Sequence, residues 1–438
     1  MAHIGKGGHV EAPNTPHDTP PHPLRWQQSI GAIATWWADW LAIAVAIALP
    51  WSTTGSLVLI LLWWLARFGM GDHAAVFHEV RTLAGGLPPA LCALGAVGIL
   101  WASVPWAECA EGLSGFYKLL AIPALLAQFR RPERGILVLW GFAASCTVLL
   151  VASWGLALLP GLTWRGREDL PGIPVRDHIA QGQAFTLCAF GFCEAALRSW
   201  RRRRLWLAFA LLLLSLAFLA NLLYVTASRT AVVTIPVLLV LFGCLRFGWR
   251  TTLAPLLALT VVSAALIWQT SPFLRQRITA IFDEIREYEP AGARTSSGER
   301  LEFWRKSIII IANAPVLGHG TGSIREQFRS AVVGDTGPTA LVAANPHNQV
   351  FAVAIQLGLV GAALLLAMWG AHLFLFRGSG TWATIGLIVV VQNIVSSLFN
   401  SHLFDFTQGW TYVWGVGVLG GLWLRDSHSA RSKSSQSQ

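Results

Sequence analysis

Charged side chains are scarce in this sequence. Asp, Glu, Lys and Arg make up 12% of its 438 residues, about half the share in a soluble domain. That scarcity excludes an ordinary soluble fold. In place of charge stand 54% hydrophobic residues and a mean hydropathy of +0.54, arranged in runs of roughly 20 apolar residues that can cross the hydrocarbon of a bilayer. Sustained apolar/polar alternation is also missing, which excludes a β-barrel. Cysteine offers no disulfide framework: Cys92, Cys146, Cys188, Cys193 and Cys244 fall in apolar segments, and only Cys109 falls in an expected outer loop. Acids inside the apolar runs are few, Asp39 and Glu194 being the clearest, and an ion-coupled transporter needs more. No Asp-x-Asp pair occupies an outer loop. His319, His347 and His402 are scattered, without the i, i+4 spacing of a zinc helix. No metal or other cofactor is therefore expected. Residues 1–23 have no apolar core and read as a flexible tail, not a signal peptide.

The apolar runs fall at 29–49, 55–68, 83–101, 112–128, 135–158, 178–197, 205–224, 230–245, 251–269, 350–375, 382–400 and 408–424. Pro88-Pro89 implies a kink or a late start in the third. With the N-terminus inside, the inner turns collect Arg67, Arg81, Arg130, Arg131, Arg134, Arg198, Arg201 through Arg204, Arg246, Arg250, Arg377 and Arg425, whereas the outer turns 50–54 and 102–111 carry no Lys or Arg. This positive-inside pattern accounts for most of the net charge of +10, so nucleic acid is not implied as a partner. The expected fold is an all-α polytopic membrane protein of about twelve transmembrane helices with one large, partly helical periplasmic loop. A flexible cytoplasmic tail would occupy 1–28, helices 29–268, the loop 269–349, further helices 350–424, and a disordered Ser-rich cytoplasmic tail 425–438.

Two outer features break the charge rule. In the loop Gly161 to Asp177, Arg165, Arg167 and Arg176 lie beside Glu168, Asp169 and Asp177. Local pairing and ligand binding both fit them. Arg229, in Thr226-Ala227-Ser228-Arg229-Thr230, has no acid nearby in sequence. It either snorkels to the headgroups or has a partner or a job.

The 269–349 loop is the only long segment too polar for lipid. A helix is expected over Phe273 to Glu289, stopped by Pro290, and a second after a cap at Ser296 or Ser297, with Glu299 in its first turn. Leu301, Trp304, Ile308 and Ile311 would share its apolar face. Gly318, Gly320 and Gly322 permit unusual backbone angles and close approach of a ligand, but without a preceding strand or a following Walker lysine they are not a nucleotide loop. Asn345-Pro346-His347-Asn348 sits at a span start, where helix N–H groups favour an anion. His347 is the chain's best proton-transfer group near neutral pH; a capping or hydrogen-bonded structural histidine is the alternative. Glu108 and Glu111 would pair with Lys118, and Asp405 beside His402 would orient a ligand or cap the final span.

Ser228-Arg229-Thr230-Ala231, then Gly298-Glu299-Arg300 through Trp304, Pro315-x-x-Gly318-x-Gly320, and Pro346-His347-Asn348 with Gly358 in the next span, together resemble the O-antigen ligase family, which shares a domain with O-antigen polymerases. The resemblance covers about 226–362. It implies a metal-independent periplasmic glycosyltransferase of the bacterial inner membrane. The donor would be undecaprenyl diphosphate-linked O-antigen, its tail lying along the spans in membrane lipid, and the acceptor lipid A–core oligosaccharide. His347, Arg229 and Arg300 match the family's catalytic positions. Fixed guanidinium groups would bind the departing diphosphate, and His347 would take the acceptor hydroxyl proton as the anomeric carbon is attacked with inversion. From charge placement and not from the resemblance, Arg165, Arg167 and Arg176 would add to the diphosphate site, and Asn348 is a further expected substrate-binding residue. The alternatives are a polysaccharide polymerase using the same donor, and a polysaccharide or solute transporter.

Overall fold

The computed structural model describes residues 25–130, 134–159, 172–175, 177–226, 228–248, 250–251, 296–334 and 340–436, with isolated positions between 254 and 279. Among them the regular structure is helical and no strand occurs. The first half comprises α1 (Arg25–Ala48), α2 (Thr53–Gly69), α3 (His73–Val80), α4 (Leu83–Val97), α5 (Trp106–Ser114), α6 (Ala121–Phe129) and α7 (Gly135–Leu158). The second comprises α8 (His178–Arg201), α9 (Leu205–Asn221), α10 (Arg229–Phe247), α11 (Ser296–Asn313), α12 (Ile324–Ala331), α13 (Gln349–Leu375), α14 (Thr381–Ser397) and α15 (Phe406–Gln436).

Among the described residues six helices, α1, α4, α7, α9, α10 and α13, are long and apolar enough to cross a membrane, or eight if each of the bent pairs α2–α3, at 107°, and α5–α6, at 44°, is one span. The expected span 251–269 lies almost wholly outside the described residues, as does the first loop helix at 273–289. Of the two expectations for Pro88-Pro89, the late start is corrected: α4 starts at Leu83 and carries both prolines inside it. The expected disordered tail is also corrected in part: α15 continues to Gln436, because no Gly or Pro follows Gly421 to stop it.

α13 is the central helix. Its most apolar stretch is 56% buried, against 28–33% for the other five spans. It packs on α4, α14 and α11. Helices in lipid associate through close packing and polar contacts, and both are present. Gly417 and Gly421 of α15 bring it against α6, where an added Cβ would lie 2.4 Å from the Leu125 Cβ and 2.8 Å from the Phe129 carbonyl carbon. Glu194 of α8 is paired with Arg246 of α10, whose Nε donates to Oε2 at 2.7 Å.

α13 is broken at Gly358, which has φ +64° and ψ −164°. A break exposes backbone groups that must find partners, and the glycine-rich segment supplies them. The N–H groups of His319 and Gly320 donate to the carbonyls of Ile355 and Gln356 at 2.9 Å each, and those of Leu359 and Val360 donate to Pro315 and Val316 at 2.7 and 3.3 Å. Gly318, Gly320 and Gly322 thus serve a backbone clasp, which corrects the ligand-approach reading. Positive φ and direct backbone packing explain why glycine stands there.

The buried face of α11 differs from the expected one. Phe303, Lys306, Ser307 and Ile310 point inward, while Leu301 and Ile308 are exposed. Phe303 and Ile310 join Phe328, Ala343 and Ile355 in a small core that fixes α11 and α12 to α13. The stripe was displaced because the buried face includes polar groups, Glu302 holding Lys306 at 3.6 Å, which an apolar pattern does not register.

Candidate active site

The turn before α13 is held from several sides. Asn345 Oδ1 accepts from the His347 N–H at 2.8 Å and from the Ser401 hydroxyl at 2.8 Å. Asn348 is the N-cap of α13, accepting from the N–H groups of Val350 and Phe351 at 2.9 and 3.2 Å. It therefore occupies helix donors that an anion would otherwise take. His347 itself has φ +52°, a left-handed conformation that a non-glycine residue keeps only where its surroundings impose it.

The imidazole is oriented by a chain of polar groups. His347 Nδ1 lies 3.1 Å from Asn400 Oδ1, and Asn400 Nδ2 donates to Asp405 Oδ2 at 3.2 Å. A carboxylate only accepts, so the amide nitrogen of Asn400 must face Asp405. Its oxygen then faces His347 and also accepts from Asn345 Nδ2 at 3.0 Å. Nδ1 consequently carries the proton and Nε2 the lone pair. Phe303 stacks on the ring, with centroids 6.1 Å apart and planes at 14°. Lys118, 2% exposed, fastens the turn by donating to the carbonyls of Phe404 and Asp405 at 2.8 and 2.9 Å. The expected pairing of Lys118 with Glu108 and Glu111 is thus replaced by backbone anchoring.

Electrostatics favour the uncharged form of His347. Burial first, and the Arg300 guanidinium second, lower its pKa below the ordinary 6.5, while the Asn400 hydrogen bond opposes them. Burial pushes Asp405 up to about 6, with Lys118 lowering and Asp177 raising it. His402 is fully buried and pushed down to about 4 by burial, with Asp177 opposing and His347 adding to the fall. Gln183 of α8 contacts its Nδ1.

Arg300 sits near the start of α11, half-buried, close enough to His347 for its charge to lower the ring's pKa. Arg229 is the first residue of α10; its side chain, and all of Arg165, Arg167 and Arg176, lie outside the described residues. The backbone around Arg229 is well tied. A π-helical turn at Leu222–Thr226 precedes it. Gln181 Nε2 donates to Ser153 Oγ at 3.1 Å, to Thr226 Oγ1 at 3.3 Å and to the Gly172 carbonyl at 3.4 Å. Ser228 packs on Gly182, one residue from the Gln183 that meets His402. The start of α10 therefore lies at the same end of the bundle as His402 and His347.

Beside the turn opens a polar cleft of about 260 Å³, lined among others by Glu108, Glu111, Arg325, Asn345, Ser401 and Asp405. Its carboxylates suit hydroxyl groups and repel phosphate. Asn400 is the residue that motif reasoning missed; its one signal was the polar run Asn400-Ser401-His402 between two apolar spans, whereas Asn345 and Lys118 were noticed without these contacts.

Residues 214–366 match the family model described as O-antigen ligase. An uncharacterized protein of Haemophilus influenzae is 26% identical over 179 residues, which cover 39% of this chain and 44% of that protein; the match thus spans less than half of the relative. The family match takes up about a third of the chain: it begins inside α9, takes in Arg229, Arg300 and the His347 turn, and ends within α13, and over this segment the chain is similar to the O-antigen ligase family.

Proposed function

We propose that this protein is an O-antigen ligase that transfers O-antigen glycan from undecaprenyl diphosphate to lipid A–core oligosaccharide at the periplasmic face of the bacterial inner membrane. The observation that carries the reading is the Asp405–Asn400–His347 chain beside Arg300. It leaves a neutral imidazole with its Nε2 lone pair available, next to a permanent cation. The acceptor hydroxyl gives its proton to Nε2, and its oxygen attacks the anomeric carbon. The bond from that carbon to the phosphate oxygen breaks, and undecaprenyl diphosphate leaves with the electron pair. A single in-line displacement inverts the anomeric configuration. Arg300 and Arg229 bind the diphosphate and stabilise the charge that develops on it. The acid-lined cleft takes the hydroxyl-rich acceptor. The reaction needs no metal, because the two arginines supply the positive charge. Arg165, Arg167 and Arg176 belong to the donor side in this reading, about twelve spans anchor the site, and both termini are cytoplasmic.

Purified protein, lipid-linked glycan and lipid A–core should give a new glycosidic bond. Movement of the glycan across the membrane with no bond formed would eliminate the reading in favour of a transporter. The family description fits a polymerase as well. A deletion strain decides: loss of a ligase leaves core without O-chain, loss of a polymerase leaves core with one repeat unit.

The geometry makes three predictions, two at Arg300 and one at Asn400. Arg300→Lys should lose about 10²-fold in transfer, since a point charge does not reproduce the planar fork; full activity in Arg300→Lys would remove bidentate phosphate binding. Arg300→Gln should also move the acid limb of the rate profile to higher pH. The base works deprotonated, Arg300 lowers the His347 pKa, and its removal raises that pKa, so the active form is lost at a higher pH than in wild type. An unmoved limb would separate Arg300 from the base. Asn400→Leu should reduce kcat by about 10-fold or more with little change in KM, because it frees the ring without touching substrate; an altered KM at constant kcat would contradict a positioning role.

A further inference from the structure

At the other end of the bundle lies a second concavity, of about 390 Å³. Its walls are apolar, with Phe142 of α7, Leu211 of α9 and Trp414 of α15 among the lining residues, while Arg198, Arg202 and Arg204 line it as well and no acid does. Gln183, which contacts His402, and Arg198 both lie on α8, 15 residues apart, or roughly 22 Å along the helix. The groove is thus separate from the candidate active site. Trp200 and Trp206 flank the arginine turn and are 63% and 88% exposed. Exposed tryptophans at a helix end mark the level of the lipid headgroups. An apolar slot entered beside arginines at that level is complementary to one kind of molecule: a lipid with a phosphate head and an acyl chain.

We propose that this groove binds an anionic glycerophospholipid of the leaflet that faces the 201–204 turn. The acyl chain lies between α7, α8, α9 and α15, and Arg198 and Arg202 hold the phosphate. Arginines near a membrane surface each favour anionic lipid by roughly fivefold, and guanidinium groups bind phosphate oxygens in pairs. Gly191 supplies an independent handle. It lines the groove, and a Cβ added there meets nothing within 4 Å, so a side chain at this position has room to start into the slot.

The test is native mass spectrometry of the full chain released from vesicles of equal phosphatidylglycerol and phosphatidylcholine. Wild type should retain one phosphatidylglycerol at least about tenfold over phosphatidylcholine. Arg198→Gln with Arg202→Gln should erase that preference, the remaining arginines of the turn preserving topology. Gly191→Phe, which leaves every charge in place, should lose the bound lipid of either class. Equal retention of the two lipids by wild type would overturn the proposal. So would retention unchanged in either variant, or recovery of a polyprenyl phosphate in place of the glycerolipid.

Discussion

Replacing His347 with Ala is expected to lower glycan transfer by about 10²–10⁴-fold, the range that a positioned general base contributes, while the protein inserts and purifies normally. The expectation rests on how the imidazole is held. Asn400 and Asp405 fix its tautomer, Phe303 fixes its plane, and burial with Arg300 keeps it neutral. The backbone of the turn does not depend on the ring, since Asn345 and Asn348 hold it through main-chain contacts. Activity of His347→Ala should therefore fall without a fall in thermal stability. The measurement is single-turnover transfer from lipid-linked glycan, with unfolding followed by intrinsic fluorescence. Transfer within a few-fold of wild type would remove His347 as the base.

The second large effect concerns folding. Gly358→Ala should destabilise the protein by about 2–6 kcal/mol, combining backbone strain with overpacking. Gly358 adopts φ +64° and ψ −164°, a region open essentially to glycine alone. An added Cβ would also lie 2.1 Å from the Val316 carbonyl oxygen, a rigid backbone atom. The expected result is low recovery in detergent or a broad, early unfolding transition. Gly370→Ala in the same helix is the control, because nothing lies within 4 Å of a Cβ there. Equal behaviour of the two variants would mean that the clasp contributes nothing.

Helices were legible in the sequence wherever apolar length decides the outcome, as in α7 and α13. The number of spans was harder to read, because α2–α3 and α5–α6 are bent pairs, and hydropathy reports apolar length but not direction. The residues proposed to act on substrate were picked from residue type and spacing, and Arg300 does lie near enough to His347 for its charge to lower the ring's pKa. What orients them was not readable. Asn400 is 53 residues from His347, and Lys118 reaches Phe404 across 286. An amide or a buried lysine has no signature until the fold brings it to its partner. The glycines were visible, yet their use was not, because an unusual dihedral that receives a ligand and one that receives another backbone call for the same residue.

The anchoring by Lys118 has a consequence for how the protein divides. The matched family segment ends at residue 366, before Asn400 and Asp405, and begins after Lys118. A chimaera that moves only that segment into a foreign scaffold would carry the imidazole and both arginines but leave behind the lysine, amide and carboxyl that aim the ring. On the proposed function, catalytic competence is in this sense distributed: the borrowed part brings the tools, and distant stretches of chain hold the vice.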